Sequence, residues 1–169
     1  MVALSAPDKL LTERWYPLRH HAGQWGYWTS DADFDVLSCT RRGGKSELFK
    51  RDGPRDALEH HRKQTSPGVY VYACPTRDQV KQIYWEDLKQ LSPDWFVRKI
   101  SESKLSIEYI NGARLQLSGM DKPSRIDGQR LCRVFCDEFH AWKTGAFEQT
   151  IQPALGTIGV HARCAIAGI

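Results

Sequence analysis

The feature that most constrains this chain is Cys39-Thr-Arg-Arg-Gly-Gly-Lys-Ser46, set between a strand-like run at 34–39 and a helical stretch at 45–51. It fits the pattern G-x-x-x-x-G-K-[ST] with Cys39 in place of the first glycine. In such a turn the backbone N–H groups wrap a phosphate, and the following helix offers it a positive N-terminus. Lys45 then reaches the outer phosphates as a point charge, and the Ser46 hydroxyl ligates magnesium. Arg41 and Arg42 add two guanidiniums, available to neutralise a γ-phosphate or to pair with a nearby carboxylate.

A second signal lies far along the chain, where Val134-Phe-Cys-Asp137-Glu138 closes an apolar strand. A carboxylate at the C-terminal end of a strand faces the crevice in which open α/β sheets bind ligands. Asp137 suits magnesium, directly or through water, and Glu138 suits a base that orients and polarises an attacking water. Gln24 precedes the first strand by a short interval, where a side-chain amide can read an adenine edge.

The chain around these segments has the makings of one domain. Its 169 residues carry 24 basic and 20 acidic side chains, a net charge of +4 that permits contact with a polyanion without arguing for it. No run approaches the roughly 20 apolar residues of a membrane helix. The start, MVALSAPDK, lacks the basic lead of a signal peptide. The expectation is a soluble, intracellular protein. Cys39, Cys74, Cys132, Cys136 and Cys164 are odd in number and form no C-x-x-C pair, which favours buried free thiols over disulfides or a zinc site. His20-His21 and His60-His61 are adjacent rather than spaced for metal, and the six tryptophans read as core or interface anchors.

Strands and helices alternate. The helical stretch at 45–51 is interrupted by Asp52-Gly53-Pro54 and resumes to about residue 64. GVYVYAC reads as a buried strand, and Thr76-x-x-Gln79 opens the clearest helix. Segments 105–110 and 113–118 flank Asn111-Gly112 as a hairpin. A loop, a strand at 132–136, a helix near 141–151 and a strand at 163–167 complete the list. Such alternation predicts an α/β fold, a mostly parallel sheet flanked by helices on both faces, with one β-hairpin.

Taken in order, these motifs resemble the N-terminal ATPase domain of the large terminase subunit of tailed bacteriophages, the motor that packs DNA into capsids. The likeness covers about residues 18–169. HHAGQWGYWTSDADFDVLSCTRRGGKS is similar to the family's Gln motif and deviant phosphate loop, and VYVYACPTRDQVKQIYW to its second strand and helix. NGARLQLSGMDKPSRIDGQR resembles the hairpin and the Arg-x-x-Gly-like loop, CRVFCDEF the Walker B strand, and the run to IQPAL the helix that follows.

The resemblance implies a P-loop NTPase of the additional-strand, catalytic-Glu type, with ATP and Mg²⁺ as ligands. It implies adenine contact by Gln24, and nucleotide binding by Thr40, Arg41, Arg42, Gly43, Gly44, Lys45, Ser46 and Glu47. Metal falls to Ser46 and Asp137, and catalysis to Glu138, Lys45 and Arg41. Arg125 or Arg130 is the candidate to act across a subunit interface. Implied partners are double-stranded DNA, the portal protein and the small terminase subunit, in a homo-oligomeric ring that an isolated domain need not form. The implied location is the host cytoplasm.

AIAG resembles the start of the family's coupling motif, although Ile169 stands where Thr or Ser is usual. The chain stops at an apolar strand, so the expectation is an N-terminal ATPase domain, 1–169, that lacks the family's nuclease half and its activity. Two other readings are a helicase or remodelling ATPase with the same core, and a non-enzymatic module that only docks on portal or small-subunit partners. Lys99, Lys104, Lys122, Arg125 and Arg130 are basic candidates for DNA contact, and a solvated face explains them equally well.

Overall fold

Val69-Tyr-Val-Tyr-Ala-Cys74 offers no charged position, and in the computed structural model it is buried along its length as the middle strand of a seven-stranded sheet. The structure describes residues 21–38, 42–59, 68–126, 128–156 and 162–168. The strands are β1 (Phe34–Leu37), β2 (Val69–Cys74), β3 (Val97–Ser101), β4 (Ser106–Tyr109), β5 (Arg114–Gly119), β6 (Leu131–Cys136) and β7 (Arg163–Ala167). The helices are α1 (Ala22–Trp28), α2 (Lys45–Glu59), α3 (Arg77–Leu91) and α4 (Gln152–Gly156).

The sheet order is β1-β7-β6-β2-β5-β4-β3. The first five of these are mutually parallel, and β4 and β3 extend the sheet as antiparallel neighbours. This is the expected α/β architecture, hairpin included. Asn111 shapes the β4–β5 turn, accepting from the Ala113 N–H at 3.0 Å and donating to the Ala57 carbonyl at 2.9 Å. Alternation along β2 sends Tyr70, Tyr72 and Cys74 to one face, where α1, α2 and α3 pack, and Val69, Val71 and Ala73 to the other. That second face is covered by Phe139, Trp142, Phe147, Ile151 and Leu155. Cys74, Cys132, Cys136 and Cys164 are buried free thiols, as expected, while Cys39 lies outside the described residues. No helix among the described residues is long and apolar enough to cross a membrane.

Two local expectations need correction, and two elements are additions to the sequence reading. Asp52-Gly53-Pro54 does not interrupt α2, which runs unbroken from Lys45 to Glu59. Tertiary contacts outweigh the poor propensities: a Cβ on Gly53 would fall 1.9 Å from the Tyr72 hydroxyl, so glycine is what lets the helix lie against β2. The anticipated continuation toward residue 64 lies outside the described residues from 60 onward. The helix near 141–151 is instead a 3-10 turn at Phe139–Ala141, a π turn at Phe147–Ile151 and then α4. Pro153 brings no N–H to a regular register, and Gln152 bonds back to the Phe147 carbonyl in the wider one. Strand β3 has no counterpart in the sequence reading, because its exposed Arg98, Lys99 and Ile100 give an edge strand no alternation to read. Helix α1 is likewise an addition; an N-capping His21 starts it, paired reciprocally with Gln24.

Arg133 lies in β6 among apolar neighbours and is 1% exposed. Its guanidinium meets Asp52 of α2 at 2.6 Å and Asp56 at 3.4 Å, and donates to the Tyr27 hydroxyl of α1 at 3.1 Å. Tyr27 in turn donates to Asp52 at 2.5 Å, and Arg55 adds a bond to the same carboxylate at 2.9 Å. Burial alone would lower the Arg133 pKa, but Asp52, with Tyr27 and Asp56 beside it, together more than reverse this and hold the charge. One buried ion network thus joins three elements that frame one face of the sheet. Removing one member strands the others: Asp52→Ala is expected to cost about 3–5 kcal/mol. The thermal midpoint should fall by roughly 10 °C, measured by circular dichroism.

Candidate functional site

The Gly43-Gly44-Lys45-Ser46 turn sits at the N-terminus of α2, and Asp137-Glu138 at the C-terminal end of β6. Separated by 91 positions in sequence, the two meet directly: the Ser46 hydroxyl donates to Asp137 Oδ2 at 2.9 Å. The turn owes its shape to two left-handed residues, Arg42 at φ 66° and Gly44 at φ 79°. Alternation of this kind points successive N–H groups inward and makes an anion-binding concavity, which the start of α2 reinforces. Gly43, Gly44, Lys45 and Ser46 all keep partial access to solvent, and Arg42 is exposed. Thr40 and Arg41 lie outside the described residues.

Asp137 is 1% exposed and held from several sides. Its backbone N–H donates to the Ala73 carbonyl of β2 at 2.9 Å, and its carbonyl accepts from the Trp142 indole at 3.1 Å. On the carboxylate, Oδ1 takes the Glu138 N–H at 3.0 Å. Oδ2 takes Ser46 and also the Tyr84 hydroxyl of α3, at 2.5 Å. Burial, and then the negative charge of Asp137, raises the Tyr84 pKa well above its ordinary value, so the phenol remains a donor. Sequence periodicity marks Tyr84 only as an apolar helix position. Nothing local betrays a phenol that reaches a residue 53 positions away.

Glu138 adopts a left-handed conformation, φ 51° and ψ 41°, at the mouth of the 3-10 turn. For a non-glycine residue this costs of order 1 kcal/mol and turns the side chain out of the strand direction. Its side chain is 48% exposed, with His140 Nδ1 at 3.7 Å from Oε2. Gly168, just past β7, presses on it: a Cβ there would lie 2.7 Å from Glu138 Cα. The Gly168 carbonyl accepts from the His140 N–H at 3.2 Å and sits 2.6 Å from His140 Nδ1. The exit of β7 and the acidic turn therefore form one interlocked unit.

Beside the turn opens a cavity of about 330 Å³ between α1 and β1, lined by His21, Gln24, Ser30, Asp35, Val36 and Lys45 among others. Gln24 lies in it, but its amide already serves the protein. Oε1 accepts the His21 N–H at 3.3 Å, and Nε2 donates to the Gly44 carbonyl at 3.3 Å. Glu47 points along its own helix to Lys50 at 2.8 Å and Arg51 at 2.7 Å.

Arg130 lies just before β6, at the opposite end of that strand from Asp137 and so roughly 20 Å away. It is placed away from its own chain's cradle. The Arg125 side chain is outside the described set. Lys99, Lys104 and Lys122 are exposed. Among the described residues, no group of three or more His, Cys, Asp or Glu could hold a metal by itself. Ser46 and Asp137 supply hard oxygen donors, the sparse protein share typical of a magnesium ion that also takes waters and substrate phosphates.

A family model described as the N-terminal part of the T4-like-virus-type terminase large subunit matches residues 36–164. Among solved structures, the large terminase ATPase domain of Thermus phage P74-26 superposes with a TM-score of 0.73 at 17% identity, covering 98% of this chain and 70% of that one. The large terminase of a thermophilic bacteriophage, in complex with ATP-gamma-S, gives 0.63 at 15% identity over 86% of this chain and 37% of that one. The HK97 bacteriophage large terminase gives 0.58 at 16%, over 98% and 33%. Identities this low establish the fold alone. No curated protein sequence matches the chain.

The contact between Gly168 and Glu138 is open to a direct check. Gly168→Ala combines a positive φ of 91° with a backbone clash, whereas Gly128→Ala faces open space at φ 69°. Thermal unfolding should therefore show a loss of about 1–3 kcal/mol for Gly168→Ala and about 1 kcal/mol or less for Gly128→Ala.

Proposed function

The chain belongs to the T4-like-virus-type large terminase family, as part of its N-terminal region, and on that premise we infer that it hydrolyses ATP to drive double-stranded DNA into a viral capsid. The observation that carries this reading is the hydrogen bond from Ser46 to Asp137, which joins the anion cradle and the acidic strand end into one crevice. Membership in this family argues against the helicase alternative.

The cradle N–H groups and the N-terminus of α2 hold the phosphate chain, and Lys45 carries its charge to the outer phosphates. Ser46 and Asp137 are the residues to hold magnesium, which offsets the charge on the phosphate oxygens when bound. Glu138, half exposed and turned out of its strand, orients a water toward the γ-phosphate and accepts its proton. The adjacent cavity takes the base. Gln24 keeps a second N–H and a second lone pair free to read it while its bond to Gly44 holds, which ties base recognition to the shape of the cradle. Arg41 supplies neutralising charge in cis. An arginine from a neighbouring copy, Arg125 or Arg130, supplies it in trans within a homo-oligomeric ring. Portal protein, small terminase subunit and DNA are the partners, in the host cytoplasm.

Two variants separate binding from chemistry. Lys45→Ala should abolish tight Mg-ATP binding in calorimetry. Glu138→Gln should keep nucleotide affinity within about twofold while lowering hydrolysis by ~100-fold or more. Equal hydrolysis by wild type and Glu138→Gln would remove Glu138 from its role.

A further inference from the structure

We propose that Tyr84, on a helix belonging to neither nucleotide motif, is the positioning residue that sets the magnesium affinity of the site, by fixing Asp137 against Ser46. This rests on the ATPase reading above and deepens it.

The argument starts from the two hydrogen bonds that converge on Asp137 Oδ2. Ser46 donates at 2.9 Å and Tyr84 at 2.5 Å, while Oδ1 is engaged by the Glu138 N–H. Without Tyr84 the carboxylate would be held only by Ser46 and by the N–H of its own chain neighbour Glu138, with nothing to fix Oδ2 when the serine turns. With Tyr84 as a second donor on the same oxygen, the carboxylate is anchored to α3, and the serine must turn its proton toward Asp137. The Ser46 lone pairs are then left for a cation. Tyr84 itself cannot drift. It is 1% exposed, and its ring packs on Tyr72 at 5.0 Å between centroids. Outer partners that orient a metal ligand typically govern affinity by ten- to a hundredfold. Helix α3 also faces α2 through the Lys50–Asp87 ion pair at 2.6 Å, so the anchor and the cradle are set on one rigid frame.

The test is calorimetric titration of ATP-gamma-S into wild type, Tyr84→Phe and Tyr72→Phe, each over a range of magnesium concentrations and in EDTA. Tyr72→Phe is the packing control: it removes a buried hydroxyl that donates to the Phe49 carbonyl at 2.9 Å and makes no contact with Asp137. The expected result is a magnesium midpoint raised about tenfold in Tyr84→Phe, with metal-free nucleotide affinity unchanged, and a wild-type midpoint in Tyr72→Phe. An unshifted midpoint in Tyr84→Phe would overturn the proposal while leaving the ATPase reading intact. So would equal shifts in both variants, or a loss of metal-free affinity in Tyr84→Phe, since either reduces the phenol to packing. A wild-type protein whose nucleotide affinity ignores magnesium would overturn the ATPase reading and this inference together.

Discussion

One hydrogen bond, from Ser46 to Asp137, ties together what the rest of the fold is arranged to support. Its two ends belong to segments with separate structural logic. Ser46 is placed by a turn that needs left-handed backbone at Arg42 and Gly44 before α2 can begin. Asp137 is placed by the end of a strand buried along its whole length. A parallel sheet is what brings such ends to one edge, because each strand must be re-entered from the same side and the connecting helices are carried onto its faces.

Around that bond, polar groups at depth give the site its rigidity. Arg133, Asp52, Asp56 and Tyr27 pin α1 and α2 to β6, so the helix carrying Gln24, the helix carrying Lys45 and the strand carrying Asp137 are braced by one ionic cluster. A buried charge network is a costly way to gain stability, and its better-attested use is specificity of arrangement. Here the arrangement it specifies is the relative placement of the elements that frame the nucleotide crevice. Glu138 is the exception to this rigidity. It is strained and half exposed, and it is wedged against Gly168 at the exit of β7, so a shift of that strand end would be felt at the acidic turn.

The legible and illegible parts of the sequence divide along the range of the interactions. The Gly-Gly-Lys-Ser turn, the Thr76–Gln79 capping box, the Asn111-Gly112 hairpin and the acids after β6 are local patterns, each set by a few neighbouring residues, and all four appear where the sequence places them. Propensity fails at Asp52-Gly53-Pro54 because Arg133 and Tyr72, far away in sequence, require that carboxylate and that missing side chain. It fails at residues 141–151 because Pro153 changes the helical register, and at β3 because an exposed edge strand has little pattern to show. Tyr84 reads as core from periodicity, and it is core; its hydroxyl carries information that only the tertiary structure reveals.

The claim most worth testing is that the two distant segments act as a single magnesium-nucleotide site. A double-mutant cycle on Mg-ATP affinity, with Ser46→Ala, Asp137→Asn and the pair together, measures it directly. If both residues serve one ion, the pair should lose less than the sum of the single losses, by a coupling of about 1–3 kcal/mol. Strict additivity would mean that serine and aspartate act independently, and the account would be contradicted.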